Sequence, residues 1–281
     1  MKTKVILSVF IFVSLVFSFR TNNDNKPAYI LHQMFDSIKN IKTLRAKISA
    51  LERVDKKFLS ASSEIKLQTS PRKLYFINKG KKLEILYNFE QTGRKALVKP
   101  YTFPYIALTL DPTGNLMRKN QHYTIHELGY EFISISIALT INKDKEGVNN
   151  FKYLGKSVKN GYTCNMLEYE NKSYSYVDYV VRDKETVSMI ATKLSVNDYL
   201  LRFNNNLLNE FGFLKKGRVL KAPNLYSKKA ILYIDEKLMV PVSISLYDDI
   251  GLFESYDYTN IEINKPFKEN EFNRDFKDYG F

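Results

Sequence analysis

Two histidines stand at a spacing that could bind a metal ion. On a helix, His122 and His126 would place both imidazoles on one face. The run 126–130, His-Glu-Leu-Gly-Tyr, lacks the second histidine of a zinc-protease motif, and a third ligand is not evident. We therefore predict a hydrogen-bonded pair near a helix start, with no metal and no catalytic residues. A metal-dependent hydrolase using both histidines is the enzymatic alternative.

The other reactive side chains also favour structural roles. Asp248-Asp249 precede Ile250-Gly251, which is typical of a hairpin turn rather than of a catalytic acid and base. Cys164 is the single cysteine, so no internal disulfide can form, and its strand pattern predicts a small buried hydrophobe. The sequence has no Gly-x-Ser-x-Gly elbow, phosphate loop or dinucleotide fingerprint. We predict a protein that is not an enzyme and needs no cofactor.

Residues 179–224 contain two helix patterns between two short strand patterns. The β-branched run 179–181 and residues 218–222 predict the strands. The first helix is predicted from apolar residues at i, i+3, i+4 and i+7, namely Val187, Ile190, Ala191 and Leu194. Ser195 is predicted to cap the start of the second helix, and the three asparagines 204–206 to end it. Two strands and two helices form a coherent unit that needs support from its host.

This unit, called the insert below, resembles the LysM domain, a β-α-α-β module that binds N-acetylglucosamine polymers such as peptidoglycan. The matching residues are Ile190-Ala191, Asn204 and the ending Gly217-x-x-Leu220-x-x-Pro223; the family's Gly-Asp-Thr is Lys184-Glu185-Thr186 here. The resemblance implies a sugar groove between two loops, with Asp183, Lys184, Glu185, Thr186, Asn204, Asn205, Asn206, Leu207 and Leu208 as peptidoglycan-binding residues. The alternative is an insert of this shape that only packs on its host.

The N-terminal residues predict export. Lys2 and Lys4 precede an apolar stretch over residues 5–19, which is short for a membrane span and ends near the small residue Ser18. We predict a signal peptide over residues 1–18 and a periplasmic protein of a Gram-negative-type envelope. An uncleaved anchor is the alternative. The chain is otherwise expected to be peripheral to the membrane at most.

Composition limits the class of partner. The chain has 20 Tyr and 19 Phe but no Trp and only 11 Gly, which is typical of an aromatic-rich sheet protein. The formal net charge of +13 suits a polyanion such as an anionic envelope polymer. Nucleic acid is not predicted, because the lysines are dispersed and no binding motif is present.

The chain around the insert predicts an antiparallel meander with helices. A helix starting at Pro27 has an apolar face, and Lys159-Asn160-Gly161 predicts a hairpin turn. Strands are predicted at 44–54, 58–69, 72–78, 82–89, 94–99, 104–110, 151–158, 162–169, 228–235, 240–247 and 252–263. Residues 126–141 fit either a strand or a helix; we favour a helix, because the sheet needs a cover for its apolar face.

The host resembles the periplasmic lipoprotein-carrier fold of LolA and LolB, and most closely an uncharacterised envelope family with that fold. The motifs behind this resemblance lie at 102–105, 117–122, 232–235, 240–242, 247–253, 258–264, Phe272 and 278–281. The resemblance implies an α+β fold, in which a curved antiparallel half-barrel covered by helices can hold acyl chains. The host domain would be discontinuous, residues 26–178 and 225–281, with the insert between them.

The predicted function is therefore that of a non-enzymatic exported envelope protein. Its partners would be peptidoglycan through the insert and a lipid or lipoprotein acyl chain in the half-barrel. The alternative is a structural or regulatory protein-interaction module without a small ligand.

Overall fold

Most strands of the chain join in one open antiparallel sheet. A computed structural model describes residues 25–80, 82–103 and 105–281, so the predicted signal peptide lies outside the described residues. The strands are β1 Thr43–Val54, β2 Lys57–Gln68, β3 Lys73–Asn78, β4 Leu83–Asn88, β5 Ala96–Pro100, β6 Leu108–Leu110, β7 Phe151–Lys159, β8 Tyr162–Glu170, β9 Tyr176–Val180, β10 Val219–Pro223, β11 Lys229–Asp235, β12 Pro241–Tyr247 and β13 Leu252–Ile263. Eleven of them pair in the order β6-β5-β4-β3-β2-β1-β13-β12-β11-β8-β7, and β9 pairs with β10. Because β6 and β7 stay at opposite edges, the sheet is not closed.

At the centre of the sheet, burial alternates along the first half of β1. β1 and β2 pair along their full lengths, from Thr43 opposite Gln68 to Val54 opposite Lys57. Leu44, Ala46 and Ile48 point inward and are buried, as expected when successive side chains face opposite sides of a strand. Each fully buried aliphatic side chain contributes about 1.5–3 kcal/mol. The predicted meander is confirmed, except that β6 covers only Leu108–Leu110 rather than 104–110.

Two long helices pack against the sheet. α1, Lys26–Lys39, begins where the Asn25 side chain accepts a hydrogen bond from the backbone N–H of Ala28 at 3.3 Å. It buries a stripe of apolar residues, Ile30, Leu31, Met34 and Ile38. α4, Tyr130–Lys143, confirms the helix predicted within 126–141. Two single-turn helices, α2 Phe89–Thr92 and α3 Asn115–Arg118, lie in loops.

α4 is apolar around most of its circumference. Phe132, Ile133 and Ile137 face the sheet and are half-buried, whereas Ile135 and Leu139 are exposed. The helix begins after Gly129, whose φ of +99° favours glycine; an added Cβ would lie 2.6 Å from Leu67 Cδ2. That glycine therefore lets the start of α4 approach β2 closely.

The insert contains β9, α5 Val187–Leu194, α6 Asp198–Asn204 and β10. Its own core joins apolar residues of both helices and both flanks, including Val187, Ile190, Leu201, Leu207 and Leu220. The prediction for Ser195 is wrong. Ser195 ends α5 in a left-handed conformation, with φ of 53°, and the Asn197 side chain caps α6 by accepting from the N–H of Leu200. α6 ends at Asn204, as predicted.

Candidate functional site

A cavity of about 310 Å³ lies between the concave face of the sheet and α4. Its walls come from both halves of the sheet, from α4 and from the loop before α4. They are largely apolar; examples are Ile48, Phe76, Ile85, Val98, Leu110, Met117, Phe132, Ile133, Ile137, Leu232, Ile244 and Tyr258. We call this space the central cavity.

Small residues at the middle of the sheet leave this space open. Ala50 and Ala61 lie directly opposite each other on β1 and β2, and both line the central cavity. Ser63 follows on the same face of β2 and accepts a hydrogen bond from the Asn78 side chain at 3.2 Å. Larger side chains at these positions would reach toward α4 and fill the gap.

The central cavity opens to solvent beside Leu116. This side chain of α3 lines the cavity and is nevertheless 77% exposed. Met117, the next residue, also lines the cavity and is half-buried. The opening therefore lies next to β6, at one edge of the sheet.

A buried carboxylate marks the polar end of the cavity. Glu254 of β13 is fully buried and lies opposite Glu52 of β1. It accepts a hydrogen bond from His122 Nδ1 at 2.6 Å and a short one from the Tyr123 hydroxyl. The Tyr256 hydroxyl donates to Glu52 at 2.5 Å and lies 3.4 Å from Glu254. These donors offset much of the cost of burying the charge.

The same network reaches the insert. Because Tyr123 donates to Glu254, the Tyr226 hydroxyl must donate to Tyr123, at 2.9 Å, and Asn197 Nδ2 donates to Tyr226 at 3.3 Å. Burial, followed by the charge of Glu254, raises the pKa of Tyr123 and Tyr226 well above the usual range. Both phenols therefore remain protonated and keep their donor roles.

His122 is held as a buried imidazolium. Its ring stacks between Tyr199 and Phe253, with both centroid separations 4.4 Å. Nδ1 contacts Glu254, and Nε2 lies 3.2 Å from the carbonyl oxygen of Arg53, so both nitrogens face acceptors. Burial by itself lowers the pKa of His122, but the hydrogen bond to Glu254 and its charge outweigh burial and raise it.

The two histidines do not form one site. His126 lies in the short 3₁₀ helix Ile125–Glu127 and contacts the Tyr87 ring edge-on at 5.0 Å. Burial and then the charge of Arg72 lower the pKa of His126, opposite to the shift of His122. In the described part of the chain, no three or more His, Cys, Asp or Glu side chains are grouped so that they could hold a metal ion.

Several residues predicted to bind sugar make hydrogen bonds within the insert. Glu185 accepts hydrogen bonds from the Tyr179 hydroxyl at 2.7 Å and the N–H of Arg182 at 2.8 Å. Asn205 joins α6 to β10 through the N–H and carbonyl of Lys221, at 2.8 and 2.9 Å. Thr186 caps α5 by accepting from the N–H of Met189 at 3.2 Å.

The remaining expected residues divide between core and surface. Leu207 is buried in the core of the insert, and Leu208 packs on a host cluster that includes Val54 and Phe253. Asn204 is half-buried at the end of α6, whereas Asp183, Lys184 and Asn206 are exposed.

The insert is fixed to the host by buried contacts. Tyr199 and Leu200 of α6 pack against Val54 and Phe253, and the Tyr199 hydroxyl accepts from the N–H of Asp55 at 2.9 Å. Arg118 pairs with Asp198 at 3.0 Å, with both side chains largely buried. Exposed residues of α4 face α5 across a second cleft of about 180 Å³. The insert is therefore packed on the host through α6 and faces α4 across this cleft.

Sequence reasoning missed Glu254 and its tyrosine partners. One signal was present: Glu254 occupies an inward position of β13, two residues before Tyr256 and four before Tyr258. A carboxylate in such a row requires buried donors. The identity of those donors could not be read from spacing, since His122 lies 132 residues away.

Comparison with known proteins gives a partial family match and distant structural likenesses. A family model described as "Protein of unknown function (DUF1571)" matches residues 213–281. No curated protein matches the sequence. No helix in the described residues has the length and apolarity needed to cross a membrane.

Three solved structures illustrate the likeness of the fold. The lipoprotein LppX of Mycobacterium tuberculosis is 12% identical, with 87% of this chain and 98% of that chain covered and a TM-score of 0.42. The MucA/MucB complex of Pseudomonas aeruginosa is 7% identical, with 88% of this chain and 60% of that chain covered and a TM-score of 0.40. This chain therefore spans about three fifths of the length of that one. A LolA superfamily protein of Nitrosomonas europaea is 8% identical, with 89% of this chain and 98% of that chain covered and a TM-score of 0.33. The values are low, so no function passes from these proteins to this chain.

Proposed function

We propose that the protein is a non-enzymatic exported envelope protein that binds a lipid acyl chain in the central cavity. The main support is the cavity itself, which is apolar along most of its walls and opens beside Leu116. Ligand sites of proteins have this character, with apolar walls and few polar groups. Liquid water occupies about 30 Å³ per molecule. The cavity volume of about 310 Å³ therefore corresponds to about ten water molecules.

The apolar walls of the open cavity also favour an apolar occupant over water. An acyl chain would recover about 0.8 kcal/mol for each buried methylene.

A matched pair of variants tests the proposal. Ala61→Phe places a ring in the central cavity, whereas Ser62→Phe places the same ring on the opposite, exposed face of β2. Protein purified from cells without detergent is examined by native mass spectrometry and by lipid extraction. We expect a lipid adduct on the wild type and on Ser62→Phe, and its loss from Ala61→Phe. A wild type free of lipid, also after incubation with a fatty acid, refutes acyl-chain binding and favours the protein-interaction alternative.

Peptidoglycan binding through the insert is the second proposal. Its structural support is that Asp183, Lys184 and Asn206 are exposed on the two expected loops, while α6 faces the host. Glu185, Thr186, Asn204, Asn205, Leu207 and Leu208 would then shape the groove from behind. Sedimentation with purified peptidoglycan tests this proposal, with Asp183→Ala/Asn206→Ala as the binding variant and Asp178→Ala as the control. Failure of the wild type to sediment eliminates it.

A further inference from the structure

We infer that residues 101–103 and 105–117, here called the rim segment, dock the protein on a lipid bilayer that contains anionic lipids. The docking surface is the exposed part of this segment at the cavity opening, and docking requires no ligand inside the cavity. Three observations support it: the exposure of the rim segment, its place beside the cavity opening and its basic flanks.

Exposed hydrophobic side chains concentrate in the rim segment. Twenty large hydrophobic residues are exposed across the described residues, and six of them fall within 101–116: Tyr101, Phe103, Tyr105, Ile106, Leu108 and Leu116. Phe103 is 87% exposed and Leu116 is 77% exposed. Scattered exposed hydrophobics are ordinary, but such a concentration marks an interaction surface.

The rim segment borders the opening of the central cavity. Leu110, Leu116 and Met117 line the cavity, while Leu108, at the start of β6, is exposed. A bilayer that contacts the rim segment therefore lies next to the opening of the central cavity. An acyl chain leaving a bilayer at that place would meet the apolar walls without crossing bulk water.

The flanks of the rim segment are basic. Residues 94–119 contain Arg94, Lys95, Lys99, Arg118 and Lys119, against the single acidic residue Asp111. Arg118 is paired with Asp198, but Arg94, Lys95 and Lys119 are exposed. Apolar side chains flanked by exposed cations suit an interface with anionic headgroups.

The geometry favours a bilayer over a protein strand. β6 is an edge strand, but it has only three residues, Leu108–Leu110. Strand addition needs a longer row of backbone groups. A bilayer requires only side chains that can enter its interface, and the exposed aromatic residues Phe103 and Tyr105 suit that region.

Vesicle sedimentation tests the docking surface. The chain without residues 1–18 is purified from cells as wild type, as Phe103→Ser/Leu116→Ser, and as the control Val158→Ser/Phe213→Ser. The control removes two side chains of similar exposure, 72% and 69%, outside the rim segment. Each protein is mixed with vesicles of phosphatidylcholine alone, or of phosphatidylcholine and phosphatidylglycerol in equal parts. All three proteins lack residues 1–18, so the apolar N-terminal stretch does not contribute to the binding that is compared.

We expect the wild type and the control to bind the vesicles that contain phosphatidylglycerol, and added salt to weaken this binding. Phe103→Ser/Leu116→Ser should lower the partition coefficient by about tenfold or more, because two large apolar side chains no longer enter the interface. Equal binding by all three proteins, or no binding by the wild type, overturns the inference. Ala61→Phe separates this result from lipid binding in the cavity, since it should lose the lipid adduct but keep vesicle binding.

Discussion

Removing the His122 imidazole should destabilise the protein more than removing any exposed charged side chain. The side chains of His122 and Glu254 are both fully buried and lie 2.6 Å apart. His122→Gln leaves the Glu254 carboxylate in the core with tyrosine donors but no cation. Breaking a buried ion pair in this way costs about 3–5 kcal/mol. Loss of stacking on Tyr199 and Phe253 adds about 0.5–1.5 kcal/mol.

The assay is urea unfolding of the wild type, His122→Gln, Glu254→Gln and the double variant. The double variant replaces the charged pair with two neutral amides and leaves no buried charge unpaired, so it should recover about 2 kcal/mol or more relative to the sum of the single variants. Lys79→Gln is the control, because Lys79 pairs with Glu64 at 3.0 Å on the exposed surface and should contribute little. A cost below about 1 kcal/mol for His122→Gln, or strict additivity in the double variant, refutes the buried ion pair.

The same pair predicts a dependence on pH. The pKa of His122 is raised in the folded state above its ordinary value of 6.5. Its stabilising contribution is therefore fully present below about pH 6.5 and is lost as the pH rises through the folded-state pKa. The difference in unfolding free energy between wild type and His122→Gln should shrink as the pH rises through the folded-state pKa of His122. A difference that stays constant, or grows with pH, contradicts the assignment.

Three further perturbations have expected outcomes. Gly129→Ala should lower the unfolding free energy by about 1–3 kcal/mol, since the new Cβ meets Leu67 at a left-handed position; a neutral effect in thermal unfolding contradicts this. Arg118→Ala should cost about 1–3 kcal/mol and speed amide hydrogen exchange in α6, because Asp198 loses its host partner; unchanged exchange in α6 argues against that link. Cys164 should react with iodoacetamide only after denaturation, because burial raises the pKa of its thiol to about 11; mass spectrometry of native and urea-treated protein checks this, and equal rates would refute it.

Local patterns predicted most elements of the fold correctly. The strands predicted at 44–54 and 252–263 and the turn at 159–161 depend on residues close in sequence, so they could be identified without the structure. Ser195 shows the limit of this reasoning. Both Ser195 and Asn197 are good capping residues, and the left-handed end of α5 decides which of them starts α6.

In the insert, too, local patterns predicted the elements, whereas the tertiary structure decided their contacts. Its helices were predicted from periodicity, but its contacts with the host could not be. Tyr199 and Leu200 face Val54 and Phe253, which are far from them in sequence. Residues expected to line a sugar groove, such as Glu185 and Asn205, have internal partners that only the folded chain brings near.

The sequence by itself determined that an antiparallel sheet with two covering helices would form, because hydrophobic periodicity and turn residues act locally. It also singled out His122, but as the hydrogen-bonded partner of His126, with a shared metal as the alternative. Only the tertiary structure decided that His122 pairs with Glu254, that Ala50 and Ala61 face each other, and that Leu116 stands at the mouth of a cavity. Cavities and buried ion pairs depend on which distant strands and loops meet, and spacing along the chain does not contain that information.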